Sequence, residues 1–160
     1  TFVVGFAARP IGGIVFGHWG DRIGRKPMLV ATFSITGLST FAVGFLPTYA
    51  QIGIAAPILL TTLRIVQGFG LGGEWSGAAM LAAEHTEAGN RGFAGSLVQA
   101  GAPIGVIAAM LAIAMVSGWL GNRGLIEWGW RLPFFASCVL IVVGLFLRMR
   151  VEETPVVTAA

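Results

Sequence analysis

The sequence predicts an all-α membrane protein with five spanning helices. Of its 160 residues, 56% are hydrophobic and 11% are charged, and the mean hydropathy is +0.83. Globular domains carry about a quarter charged residues, so this chain has too few to cover a water-facing surface. The charges also cluster in short stretches between five apolar runs, each approaching the roughly 20 residues that a bilayer-spanning helix needs.

The first apolar run covers about residues 1–16, and the charged stretch at 17–27 is interpreted as a loop between helices. Pro27 closes this stretch. The second run, about 28–46, ends where a proline and polar residues follow.

The third run begins near Pro57, a residue type that suits the first turn of a helix, and continues to about residue 83. A polar loop at 84–92 follows it. The fourth run covers about 93–120, and the fifth covers about 132–147 after a loop at 121–131.

Basic residues near helix ends favour the cytoplasmic side, so their distribution predicts the orientation. One set of connections holds six of them, and the other holds only Arg123 and Arg131. The stretches 17–27 and 84–92 and the C-terminal end are therefore predicted to be cytoplasmic. The six are Arg22, Arg25, Lys26, Arg91, Arg148 and Arg150.

The composition argues against several other classes of protein. The basic residues form no single stripe or patch, so no nucleic-acid partner is expected. The two histidines have no further ligand at metal-binding spacing, and the polar residues assemble no nucleophile, base and orienting acid. We therefore predict neither an enzyme nor a bound metal or cofactor. The chain opens at Thr1 inside an apolar run, which indicates a fragment of a longer protein.

Three charged residues lie inside the apolar runs: Arg9 in the first, and Arg64 and Glu74 in the third. A charge at bilayer depth costs a few kcal/mol or more, so each should face the bundle interior or a wet cavity and have a partner. Arg64 and Glu74 are ten residues apart, about 15 Å along a helix, and cannot easily pair with each other. Each needs a partner on another helix, or a substrate.

Glu74 is the only carboxylate within the predicted spans, which makes it the candidate proton carrier. Arg9 and Arg64 offer planar, bidentate donors that suit a substrate carboxylate. The same donors would equally hold acidic side chains on other helices, and a structural ion pair that only fixes packing is the alternative for all three residues.

The third run is also rich in glycine. Gly68 and Gly72, like Gly73 and Gly77, have the four-residue spacing that brings membrane helices close together. We therefore expect this helix to pack tightly against a neighbour.

Several motifs identify a family. Residues 17–26 match G-x-x-x-D-R-x-G-R-K, which resembles the loop between helices two and three of major facilitator superfamily transporters. The R-x-x-Q-G element at 64–68 resembles part of that superfamily's fourth helix. Further stretches resemble its metabolite:proton symporter family, whose members carry proline and betaine, 2-oxoglutarate, citrate or shikimate. These stretches are 8–13, 68–75, 130–134 and 152–155.

The resemblance implies that the chain is a partial N-terminal half of a twelve-helix bundle, helices two to six, working by alternating access. It adds Gln67 to Arg9, Arg64 and Glu74 in the substrate and proton pathway. It also implies a cytoplasmic gate, in which Asp21 faces a helix N-terminus of the other half. The alternative for these gate residues is that they only set topology and solvate the loop. The gate residues are Gly17, Asp21, Arg22, Gly24, Arg25, Glu84 and Arg91.

The function expected from the resemblance is proton-coupled symport of a small organic acid or zwitterion across the inner, or plasma, membrane. The partners would be that metabolite, the proton and the lipid bilayer. A sugar or drug carrier of the same superfamily is an alternative, and so is a membrane sensor that binds a metabolite without moving it.

Overall fold

The computed structural model describes residues 2–84, 86 and 89–150, with the backbone alone at residues 2, 80, 81, 83 and 84. Within this part the chain is helical. The elements are α1 (Phe2–Ile23), α2 (Arg25–Val43), the short α3 (Tyr49–Ile52), α4 (Ala55–Glu84), α5 (Arg91–Glu127), a 3-10 turn (Gly129–Arg131) and α6 (Leu132–Arg150).

The stretch at 17–27 is not the loop that its charges suggested. Helix α1 continues through Gly17 and Asp21 to Ile23, and α2 begins at Arg25, so Gly24 alone separates the two helices. Gly24 has φ of 105°, a backbone conformation that glycine adopts without steric cost. The polar residues are thus carried on the last turns of a 22-residue helix, which reaches about 33 Å.

The stretch at 121–131 is likewise more helical than expected. Helix α5 runs to Glu127, interrupted by Gly121, whose φ of 68° and ψ of 170° mark a kink. Residues 129–131 then form the 3-10 turn that leads into α6. The short helix α3 was not foreseen. Its N-cap Thr48 and Gln51 form a reciprocal capping box that stabilises one helical turn.

The described part contains four helical segments long and apolar enough to cross a bilayer. Helix α1 contains Arg9, Asp21 and Arg22 and is not in this group, so its crossing stays a prediction. The four are Arg25–Val43, Ala55–Ala79, Arg91–Glu127 and Gly129–Arg150. The predicted polar loop at 84–92 is shorter than expected, because Glu84 ends α4 and Arg91 begins α5. His85 and the 152–155 motif lie outside the described residues.

Glycine allows α1 and α4 to pack with their backbones in contact, as the sequence predicted. A Cβ on Gly68 would overlap the carbonyl oxygen of Gly5, and a Cβ on Gly72 would overlap that of Arg9. In the reverse direction, a Cβ on Gly12 would overlap the carbonyl oxygen of Phe69. Small residues of this kind let membrane helices approach closely.

Helix α2 lies between α4 and α6 and packs against both. Gly70 of α4 faces Thr36 of α2, and a Cβ there would be 2.6 Å from the hydroxyl. On the other side of α2, the Phe33 ring fills the space above Gly144 of α6. At the far end of α2, Arg131 donates to the Leu46 carbonyl oxygen at 3.0 Å, which ties this end to the turn before α6.

We expect Gly72→Ala to destabilise the full-length protein by about 1–3 kcal/mol, because the added methyl group meets backbone that cannot move aside. Gly105→Ala on α5 is the matched control, since a Cβ there meets nothing within 4 Å among the described residues. That change should be neutral or stabilise by a few tenths of a kcal/mol through helix propensity. Thermal unfolding of the two purified variants checks this, and equal melting temperatures would contradict the close packing of α1 on α4.

Candidate functional site

Arg64 begins a hydrogen-bonded chain that links α4 to α2. Its Nη1 donates to the Gln67 Oε1 at 2.7 Å, a contact that the three-residue spacing on one helix face allows. The Gln67 Nε2 donates to the Thr40 Oγ1 at 2.6 Å, and that hydroxyl donates to the Thr36 carbonyl oxygen at 2.8 Å. The partner of Arg64 is therefore on its own helix. The sequence led us to expect that Arg64 would contact another helix, but Gln67 makes that contact instead.

Arg9 lies half-buried on α1 and stacks on its own helix. Its guanidinium carbon is 4.3 Å from the centre of the Phe6 ring. Its Nε is buried and has no hydrogen-bond partner within the described residues. A buried donor without a hydrogen bond lowers the stability of the fold by about 1–3 kcal/mol. An acceptor that reached the Arg9 Nε would remove this cost.

The two arginines of α1 and α4 lie along the same helix pair. Gly5 of α1 packs against the backbone of Arg64, with a Cβ there 2.8 Å from its carbonyl oxygen. Helical side chains lean toward the N-terminus, and the stacking of Arg9 on Phe6 follows this direction. The guanidinium of Arg9 is therefore directed along α1 toward the turn of Gly5, which packs against the Arg64 backbone.

Glu74 has a partner on another helix, as predicted, and the partner is Arg148. The Arg148 Nη2 donates to the Glu74 Oε1 as a salt bridge between α4 and α6. Both side chains are largely buried, with exposed fractions of 17% for Glu74 and 23% for Arg148. The Arg148 guanidinium also lies 4.4 Å from the centre of the Phe33 ring on α2. Three helices thus meet at one charge pair.

Some of the expected gate residues lie together at the end of α1. Asp21 and Arg25 approach at 3.9 Å across the break at Gly24. With Gly17 they line a cavity of about 260 Å³ whose opposite wall includes Gly73 and Ser76 of α4. The cavity joins the last turns of α1, the start of α2 and the middle of α4.

The other expected gate residues are not brought to this cavity. Arg22 is exposed on the last turn of α1, and Arg91 is exposed at the start of α5. The side chain of Glu84 lies outside what the structure describes. Their roles in a gate stay predictions.

A second cavity, of about 450 Å³, opens between the ends of α2 and α4. Among the described residues that line it, Arg64 alone is charged, and Thr48, Tyr49 and Trp130 are among the others. The Arg131 guanidinium lies 4.5 Å from the centre of the Trp130 ring. Arg64 therefore borders open space at the end of the bundle opposite to the Asp21 cavity.

Sequence reasoning missed Arg148 and Thr40. Arg148 was interpreted only as a basic residue flanking the fifth span, although Glu74 required a cation from another helix and few were available. Thr40 is one of many hydroxyl residues on α2, and no spacing in the sequence distinguishes it. Within the described ranges, no three histidine, cysteine, aspartate or glutamate side chains are grouped so that they could hold a metal ion.

The sequence matches the family profile described as Major Facilitator Superfamily over residues 1–159. It is 50% identical, over 98% of its length, to the inner membrane metabolite transport protein YhjE of Escherichia coli. It is 44% identical over 96% of its length to the shikimate transporter of E. coli, and 44% identical over 97% to the proline/betaine transporter of Salmonella typhimurium. These relatives are transport proteins, in agreement with the prediction that the chain is not an enzyme.

The chain spans about a third of these relatives, which is 36%, 35% and 31% of their lengths. Among solved structures, the inward-open xylose transporter XylE of E. coli matches with a TM-score of 0.84 at 22% identity. The match covers 95% of this chain and 36% of that one. At this identity the likeness establishes the fold.

Proposed function

The chain belongs to the Major Facilitator Superfamily, and we propose that the full-length protein is a secondary transporter that carries a small organic metabolite together with a proton. The substrate class is an organic acid or a zwitterion, and the mechanism is alternating access between two halves of a bundle. The described helices α1, α2, α4, α5 and α6 would be helices two to six of the twelve, within the N-terminal half.

The observation that carries the substrate class is the buried Nε of Arg9, which has no hydrogen-bond partner among the described residues. A substrate carboxylate would supply the acceptor that this buried donor lacks, and guanidinium binds carboxylate in a planar, bidentate geometry. Arg64 adds a second cation, since within the described residues Gln67 is the only acceptor that its guanidinium contacts. Relatives named for shikimate and for proline and betaine act on molecules that bear a carboxylate.

The proton would be carried by Glu74, which is largely buried yet paired across helices. A carboxylate inside a membrane bundle marks a proton or ion route by default. The Asp21 cavity at the end of α1 would belong to the cytoplasmic gate, with Arg25 holding Asp21 across Gly24.

The proposed orientation places the end of α1 and the 84–92 connection in the cytoplasm of the cell and the protein in the inner membrane. To test it, the cysteines of the full-length protein, Cys138 among them, are replaced by alanine, and single cysteines are introduced at the exposed positions Ala50 and Asn90. In spheroplasts, a membrane-impermeant maleimide should label Ala50→Cys directly and Asn90→Cys only after permeabilisation. The reverse pattern would overturn the orientation.

The function is tested by uptake into proteoliposomes that contain the full-length protein. Labelled shikimate, 2-oxoglutarate, citrate, proline and betaine are offered one at a time, with and without an inward proton gradient. The proposal expects one compound to accumulate when the gradient is present. Binding of a compound without entry would instead favour the sensor, and uptake of a sugar alone would favour the sugar-carrier alternative.

A further inference from the structure

We propose that Arg148 is the internal counter-ion of the proton carrier: it pairs with Glu74 after the proton leaves and gives up the carboxylate when a new proton binds. This inference rests on the proposed function and adds to it a positioning residue on α6. It starts from the salt bridge between Arg148 and Glu74.

The pair joins two helices that have little other direct contact. Helix α2 lies between α4 and α6 in the described bundle and packs against each of them. The Glu74–Arg148 bridge therefore spans the gap beside α2 rather than reinforcing an existing helix contact. When this salt bridge opens, α4 and α6 lose their direct link and can move relative to each other.

Arg148 is held in place for this role by α2. Phe33 lies against the guanidinium at 4.4 Å, an arrangement that stabilises a cation without neutralising it. Gly144, one turn earlier on α6, lets that helix approach the same ring, because any side chain there would overlap Phe33. The Arg148 guanidinium therefore keeps its contact with the Phe33 ring whether or not Glu74 is ionised.

The proton balance of the cycle follows from these contacts. When Glu74 is ionised, its negative charge and the positive charge of Arg148 cancel. The ion pair then has no net charge during the conformational change. When a proton from the outer side binds the Glu74 carboxylate, the acid becomes neutral and Arg148 remains on Phe33. Release of that proton to the cytoplasm restores the carboxylate, and Arg148 binds it again. Without Arg148, the carboxylate would be left uncompensated in an apolar surrounding, where taking up a proton is the less costly state.

Other charged groups are present on the helices packed against α4 and α6, and within the described residues the salt bridge of Glu74 is made to Arg148. Asp21 and Arg25 approach each other, and Arg9 stacks on Phe6. The variants that test the inference must leave the charges of these groups, and of the other charged groups on neighbouring helices, unchanged. The remaining ones in the described part are His18, Arg22, Lys26, Arg64, Arg91, Arg123, Glu127, Arg131 and Arg150.

The test compares two transport modes in proteoliposomes of the full-length protein. Net proton-driven uptake requires Glu74 to lose its proton in each cycle, whereas exchange of labelled for unlabelled substrate does not. We expect Arg148→Gln to lower net uptake at least about tenfold, because the carboxylate stays protonated, and to keep exchange within about twofold of the wild type. Arg150→Gln is the matched control, since Arg150 is exposed two residues away and stacks on Phe146 instead.

Unchanged net uptake in Arg148→Gln would overturn the inference, and so would parallel loss of uptake and exchange in protein that remains folded. If that variant does not fold, Arg148→Lys decides, because it keeps a cation beside Glu74 without the planar guanidinium that stacks on Phe33. We expect Arg148→Lys to keep exchange and to shift the pH dependence of net uptake; a pH profile of net uptake equal to that of the wild type would overturn the inference. Failure of the wild type to take up any compound would refute the proposed function itself, which is a distinguishable result.

Discussion

Glu74→Gln is expected to abolish proton-driven accumulation while leaving the protein inserted and able to exchange substrate. The amide keeps the shape of the side chain and can still accept a hydrogen bond from Arg148, which now donates to the carboxylate. It cannot bind and release a proton. A gradient of one pH unit is worth about 1.4 kcal/mol per proton, which supports roughly tenfold accumulation if one proton accompanies each substrate.

In the variant, the ratio of internal to external substrate should stop at about 1, the value for passive equilibration. Glu127→Gln provides the control, because Glu127 is an exposed carboxylate at the end of α5. Uptake of labelled substrate against an imposed gradient measures both variants. Tenfold accumulation by Glu74→Gln would exclude Glu74 as the proton carrier.

Arg9→Gln is expected to weaken substrate binding strongly without weakening the fold. A hydrogen bond to a charged group contributes about 1.5–3 kcal/mol, so the dissociation constant should rise roughly 10- to 150-fold. Arg9→Lys should recover only part of the affinity, since an ammonium group keeps the charge but not the planar fork. Arg123→Gln is the control, being an exposed arginine in the last segment of α5.

The same variant separates a binding role from a structural one. The Arg9 Nε is buried without an acceptor in the described part of the chain, so removing it relieves an unmet donor. The melting temperature of substrate-free Arg9→Gln should therefore equal or exceed that of the wild type. A clear loss of stability together with unchanged affinity would mean that Arg9 serves packing alone. Calorimetric binding and thermal unfolding of the same preparation give both readings.

The helical bundle could be predicted from the sequence because apolar length and glycine spacing are local properties. The runs at 28–46 and 57–83 correspond to α2 and α4 with shifts of a few residues. The glycines of α4 indicated close packing, and the structure places them against α1. The prediction of a loop at 17–27 was wrong because a cluster of charged residues was taken as evidence for a loop. Polar residues on the last turns of a helix reach water without leaving the helix, and only Gly24 breaks it.

The site could be predicted only in part, since pairing between helices depends on rotation and register that a single run does not reveal. Arg9, Arg64 and Glu74 stood out because each is a charge in an apolar run. Their neighbours Thr40, Phe33 and Arg148 did not, because a hydroxyl, a ring or a terminal arginine is ordinary on a membrane helix. Glu74 was expected to have a partner on another helix or a substrate, and the packing of α6 on α2 identifies Arg148 as the partner.

The most direct test of the account is to record proton movement as substrate is added. Proteoliposomes of the full-length protein are suspended in weakly buffered medium with a pH dye outside, with no gradient imposed, and each candidate compound is added in turn. Symport predicts that one compound makes the outer medium more alkaline, and that Glu74→Gln gives no such response to it. Entry of labelled substrate with no change in the dye signal would contradict proton coupling.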